Sequence, residues 1–212
     1  MSIKISYAIT ACNEHRELDK LLTHMAANLP DDGWEIVIQC DENNTTPAVW
    51  NLVQEYSQVS SLNCKVITFP LNKDFAAFKN NLKNACVGEY IFQIDADEIP
   101  STYMLETLPE LLDSNPGVDL FWVPRINHVD GLTREHVQTW AWSVDWAGRV
   151  NFPDYQSRIF KNVPYIKWVR PVHEYIEGYQ LEAKLPTDDE WCLMHEKTIA
   201  RQEQQNAFYG TI

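Results

Sequence analysis

A chain of 212 residues can bury the core of one sizeable domain, and its 45% hydrophobic and 22% charged content excludes a disordered or fibrous polymer. Its formal net charge of -13 repels nucleic-acid phosphate and anionic lipid, so no nucleic-acid partner is expected and at most peripheral membrane association. The five cysteines, Cys12, Cys40, Cys64, Cys86 and Cys192, form no C-x-x-C pair; with no leader pattern and no apolar run near the ~20 residues of a membrane span, they predict reduced thiols in a cytoplasmic protein.

Lys4 to Thr10 reads as a first strand, followed by a helix from about Arg16 to Asn28 in which Leu18, Leu21, Leu22 and Met25 recur at helical spacing. Trp34 to Cys40 is a second strand, Pro47 opens a helix running toward Tyr56, and Cys64 to Phe69 is a third strand. Phe75, Phe78, Leu82 and Ala85 mark one face of a helix that stops before Gly88, and Tyr90 to Ile94 is a fourth strand ending at Asp95. This alternation predicts an α/β fold with a mostly parallel sheet covered by helices.

Beyond Pro100, Leu105, Leu108, Leu111 and Leu112 predict a helix ending near Asn115-Pro116-Gly117, and Asp119 to Pro124 a further strand. From Asn127 to Tyr179 the aromatic-rich sequence predicts short strands and long loops. The stretch from Glu196 to Tyr209 reads as a polar helix anchored by Ile199 and Phe208. The chain is expected to be a single domain over residues 1–212, with a nucleotide-binding half (1–98) and an acceptor-side half (99–212).

In an open parallel sheet, ligands sit beyond the carboxyl ends of the strands. Those ends present Thr10, Ala11, Asn13 and Glu14, then Asp41, Glu42, Asn43 and Asn44, and finally Asp95-Ala96-Asp97-Glu98. Three carboxylates in four residues call for an explanation, since two like charges ~4 Å apart repel by about 4 kcal/mol at an effective dielectric near 20. A hard divalent cation, manganese or magnesium, shared with substrate phosphates satisfies them, Asp97 holding the metal and Asp95 meeting a ribose or a metal-bound water. Alone, the cluster is equally readable as a solvated turn capping the helix that starts near Ser101. Neither G-x-G-x-x-G nor G-x-x-x-x-G-K-[ST] occurs, and His173-Glu174 and His195-Glu196 lack the second histidine of a zinc-protease helix.

The segments Thr10-Ala11-Cys12-Asn13-Glu14, Asp41-Glu42-Asn43-Asn44 and Asn72 to Glu98, the last with Lys79-Asn80, Ala85, Gly88-Glu89-Tyr90 and Asp95-Ala96-Asp97, resemble family-2 glycosyltransferases of the GT-A fold. The resemblance implies an inverting transfer of a sugar from a nucleotide-diphosphate donor, by family habit a UDP-sugar, onto a hydroxyl of a glycan or glycolipid. It also implies that Thr10, Ala11 and Glu14 line the nucleoside pocket, that Asp41 bonds the base, that Lys79 lies near base or phosphate, and that Asp95-Ala96-Asp97 is the metal-binding DxD motif. Gln156-Ser157-Arg158-Ile159-Phe160-Lys161 and Val172-His173-Glu174 resemble a small subgroup that builds lipopolysaccharide core. That likeness nominates Glu174 as the base and His195 as a further metal ligand. Arg158, Arg170, Lys197 and Arg201 are candidates to screen the diphosphate, and Trp140, Trp142, Trp146 and Trp168 to stack on acceptor sugar. A magnesium-dependent phosphohydrolase and a non-catalytic nucleotide-sugar-binding module are the rival readings.

Overall fold

The computed structural model describes residues 3–209, the side chains of Phe208 and Tyr209 excepted. Its first half alternates strand and helix as the periodicity predicts: β1 (Ile5–Ala11), α1 (His15–Asn28), β2 (Trp34–Asp41), α2 (Pro47–Ser57), β3 (Cys64–Phe69), α3 (Phe75–Ala85) and β4 (Tyr90–Asp95). Local chemistry sets the boundaries. Thr46 caps α2 by accepting from the Val49 amide, with Pro47 placed where its missing N–H costs nothing, and Asp74 caps α3 through the Ala77 amide at 2.8 Å.

Strand alternation then sorts the core into two layers. Ile5, Tyr7, Ile9, Ile36, Ile38, Tyr90, Phe92 and Ile94 pack with α1 and α2, where Leu18, Leu21, Leu22, Met25, Val49 and Val53 are buried. Ala8, Val37 and Ile91 face the opposite side, against Ala76 and Leu82 of α3. Gly88 lets the turn before β4 touch β1: a Cβ there would lie 2.6 Å from the Ser6 nitrogen, and its own N–H donates to Ser6 Oγ at 2.8 Å.

The second half carries β5 (Glu98–Pro100), α4 (Thr102–Ser114), β6 (Leu120–Asp130), α5 (Arg134–Thr139), β7 (Val150–Lys161), β8 (Lys167–Val169), β9 (Tyr175–Glu177), β10 (Glu182–Lys184), β11 (Leu193–Thr198) and α6 (Ile199–Tyr209). Three expectations need correction. β6 continues six residues past Pro124; the aromatic-rich stretch contains the 12-residue β7, a full member of the main sheet; and Glu196 to Thr198 ends β11, so that the terminal helix begins only at Ile199. The Phe208 side chain lies outside those described.

The main sheet runs β3-β2-β1-β4-β7-β6-β11-β5. Pairings among the first four strands are parallel, β7 is antiparallel to both β4 and β6, β11 returns parallel to β6, and β5 closes the edge antiparallel to β11. The fold is therefore the predicted α/β arrangement, a mostly parallel sheet flanked by helices. Among the described residues, no helix is long and apolar enough to cross a membrane.

Candidate active site

From β1 the chain builds β2 and β3 on one side and then crosses to place β4 on the other, so a crevice opens at the carboxyl ends of β1 and β4. In register, Thr10 lies opposite Asp95. A cleft of about 640 Å³ begins there and is lined by Thr10, Cys12, Asn13, Glu14, Asp41, Phe75, Asp95, Ala96, Asp97 and Arg201, among others. The acidic strand tip thus opens into a cleft shared with Glu14 and Asp41.

Asp41 and Glu14 are each held by backbone amides. Asp41 Oδ1 accepts from the Asn43 and Leu71 amides at 3.2 Å each, and Oδ2 from Asn44 Nδ2 at 2.6 Å. Glu14 turns back on the segment before it, Oε2 accepting from the Cys12 and Asn13 amides at 2.8 and 2.9 Å. The Cys12 thiol is pushed up to about 11 by burial, reinforced by the charges of Glu14 and Asp41, so it stays protonated and is no nucleophile near neutral pH.

The three clustered acids have different surroundings. Glu98 is fully buried between Arg125, at 2.8 Å, and Arg158. Asp95 is backed by Arg158 and receives the Thr10 hydroxyl at 3.4 Å. Asp97 faces His195 Nε2 and Arg201 Nη2, both 3.3 Å from its Oδ2. Helix α4 is capped by the Ser101 hydroxyl, which accepts from the Met104 amide at 2.9 Å. The alternative of a solvated capping turn is thereby overturned: the cap is a serine, and the acids are drawn inward by arginines.

Burial alone raises the Asp95 carboxyl, yet the charges of Arg158 and Lys79 outweigh it and hold the group well below the usual carboxylate range. Burial likewise opposes ionisation of Asp97, but the hydrogen bond and charge of His195, with Arg201, keep it low despite the like charge of Asp95. Both groups are anionic at neutral pH.

His195 is oriented from behind. Its Nδ1 lies 2.7 Å from Asn127 Oδ1, while Asn127 Nδ2 donates to Asp154 Oδ2 at 2.9 Å, which assigns Oδ1 as the atom facing the ring. Nδ1 therefore carries a proton and Nε2 faces the Asp97 carboxylate, donating to it when the ring is charged and presenting a lone pair when it is neutral. Two acceptors 3.3 Å apart need a proton or a cation to reconcile them. The Asp97 oxygen suits manganese or magnesium and the imidazole nitrogen favours the softer manganese; among the described residues no group of three His, Cys, Asp or Glu completes a cage, so further ligands would have to come from substrate and water.

Other expected residues lie under the cleft or away from it. Ala11 is buried in the core below the rim. Lys79, on the buried face of α3, reaches Glu174 at 2.6 Å and stands 4.5 Å over the Trp168 ring. Trp168 is itself 4% exposed, packed edge-on to Phe160, so it is a core residue and no surface for a sugar. Arg158 is buried, committed to two carboxylates, and is not among the residues lining the cleft. Arg170 stacks on Tyr175, Trp140 stacks on His136, and of the four candidate tryptophans Trp146, 94% exposed, projects furthest. Sequence reasoning missed the supporting network of Arg125 and Asn127 on β6 with Asp154 on β7, which stands opposite Arg125 in register; the alternation of Arg125 and Asn127 was its only sequence signal.

The model of the family described as Glycosyl transferase family 2 matches residues 6–170. No curated protein matches the chain. Among solved structures, S. aureus TarS residues 1–349 aligns with a TM-score of 0.65 at 15% identity, covering 92% of this chain and 60% of that one. The same protein in complex with UDP-GlcNAc aligns with a TM-score of 0.65 at 16% identity, covering 92% and 59%. This chain thus spans about 60% of the length of these structures, which share its GT-A fold. With the family model covering well over half of its residues, the chain belongs to glycosyl transferase family 2.

Proposed function

We propose that this chain is an inverting, divalent-cation-dependent glycosyltransferase that uses a nucleoside-diphosphate sugar, with UDP as carrier, and a glycan or glycolipid hydroxyl as acceptor. The observation that carries the reading is Asp97, which lines the cleft together with the pre-oriented Asp41 and whose Oδ2 lies 3.3 Å from Nε2 of the buried His195 behind it. UDP is chosen because TarS, of like fold, has been solved with UDP and with UDP-GlcNAc.

Asp97 and His195 would hold Mn2+ or Mg2+, which when bound supplies Lewis-acid stabilisation of the charge that develops on the leaving diphosphate. Asp95, already neutralised from behind by Arg158, is a weaker cation ligand and a better acceptor for a ribose hydroxyl or an ordered water. Asp41 accepts from a base N–H, its amide partners fixing both oxygens. Thr10, Asn13 and Glu14 form the nucleoside wall. Glu174 is positioned by Lys79 on a loop tied to the cleft where the Phe75 amide donates to the Pro171 carbonyl at 2.8 Å. It takes the proton from the acceptor hydroxyl as that oxygen attacks the anomeric carbon and the bond to diphosphate breaks on the opposite face. Residues 1–98 then serve the donor and residues 99–212 mainly the acceptor, within one functional unit.

Incubation with a panel of nucleotide sugars, without acceptor, tests this reading. Slow hydrolysis of one UDP-sugar in Mn2+, abolished by EDTA, is the expected result. A panel left intact with Mn2+ present, although UDP binds, would point to a binding module instead, and phosphate release from simple phosphomonoesters to a phosphohydrolase.

A further inference from the structure

The terminal helix α6 lies beyond the residues matched by the family, yet its first turn reaches into the cleft. Arg201 sends one guanidinium to three acids on two other segments. Nη1 lies 3.1 Å from Glu17 Oε1, and Nη2 lies 3.3 Å from both Glu14 Oε1 and Asp97 Oδ2. Glu14 and Glu17 stand at the start of α1 and Asp97 in the turn between β4 and β5, so a single side chain, 30% exposed, ties three parts of the fold together. It also stands at the border between the donor cleft and a neighbouring cavity of about 480 Å³ that includes Glu17, His128, Asp130 and Lys197.

This arrangement conflicts with a cation on Asp97. A divalent ion sits roughly 2.1 Å from its carboxylate oxygen, and the oxygen it would use is the one Arg201 contacts. Two positive groups then compete for one acceptor and repel each other. The donor brings a compensating charge, since its diphosphate offers the paired oxygens that a guanidinium fork matches. Gln204 and Gln205, on the same helix, line the cleft beside Arg201.

We propose that Arg201 is a latch: in the empty cleft it holds the cation's electrostatic place on Asp97, and when cation and donor enter together it passes to the diphosphate, keeping α6 across the opening. The inference rests on the donor-site reading above. It makes the free ion a poor ligand and the ion–nucleotide complex a good one, so that the cation is taken up with its substrate.

The test is Mn2+ binding followed by the EPR signal of the free ion, for the wild type, Arg201→Gln and Arg201→Lys, with and without UDP. For Arg201→Gln, Mn2+ alone should bind about tenfold more tightly than to the wild type, because the competing charge is gone, while Mn2+ with UDP should bind about tenfold more weakly. Arg201→Lys, a point charge without the fork, should keep the low free-ion affinity and still lose affinity for the complex. A helix contact without this role would weaken binding in both conditions, and that result, or unchanged free-ion affinity in Arg201→Gln, overturns the latch alone. Failure of the wild type to take up Mn2+ even with UDP overturns the donor-site reading and the latch with it.

Discussion

Asp97→Asn is expected to lower sugar transfer by about a thousandfold or more, the scale of losing the group that carries transition-state charge stabilisation. The substitution keeps the volume of the side chain and can still accept from Arg201, but it removes the anion that makes the pair with His195 a cation site. Asp97 lies beside the like charge of Asp95, so neutralising it relieves one repulsion while weakening two ion pairs. The fold should therefore survive, with a melting temperature within a few degrees of the wild type, as circular dichroism would show. Initial rates at saturating Mn2+ measure the main effect. A variant keeping a tenth of wild-type activity would contradict the assignment.

Arg158→Leu should produce the largest loss of stability, about 3–5 kcal/mol, as is usual when one partner of a buried ion pair is removed. Arg158 is 3% exposed and joins Asp95 to Glu98, whose side chain is wholly buried; without it Glu98 keeps Arg125 and the Asp95 amide, and Asp95 loses its main counter-charge. Urea unfolding measures the loss, and a decrease below about 1 kcal/mol would refute the role. The same network fixes the sign of the pH dependence. Asp95, Asp97 and Asp154 are all held below the usual carboxylate range in the folded state, so the unfolded chain binds more protons in acid. Their contribution is complete above the unfolded carboxylate values near 4 and is lost as pH falls through the folded ones. Arg158→Leu should flatten that acid limb.

The first four strands and three helices were legible because their faces repeat at regular spacing and polar caps close their ends. That Asp95, Asp97, Asp41 and Glu14 gather at one cleft was legible because strand ends of a parallel sheet converge. β7 was not legible: Asp154, Gln156 and Arg158 break its apolar alternation, and they do so because the strand carries the polar network under Asp95 and His195. The far half of β6 was missed for the same reason, with Arg125 and Asn127 where apolar residues would have marked a strand. Pairings such as Lys79 with Glu174, 95 residues apart, and Arg201 with Glu14, 187 apart, leave no local pattern at all. Arg158 reads in the sequence as a candidate for the diphosphate because nothing nearby in the chain announces its two buried partners.

Calorimetric titration of UDP into the wild-type protein, once with Mn2+ and once with EDTA, tests the central claim most directly. The account predicts saturable binding with Mn2+ and an affinity at least about a hundredfold lower with EDTA, a difference of roughly 2.7 kcal/mol. Equal UDP affinity in the two titrations would contradict a cation held by Asp97 and His195.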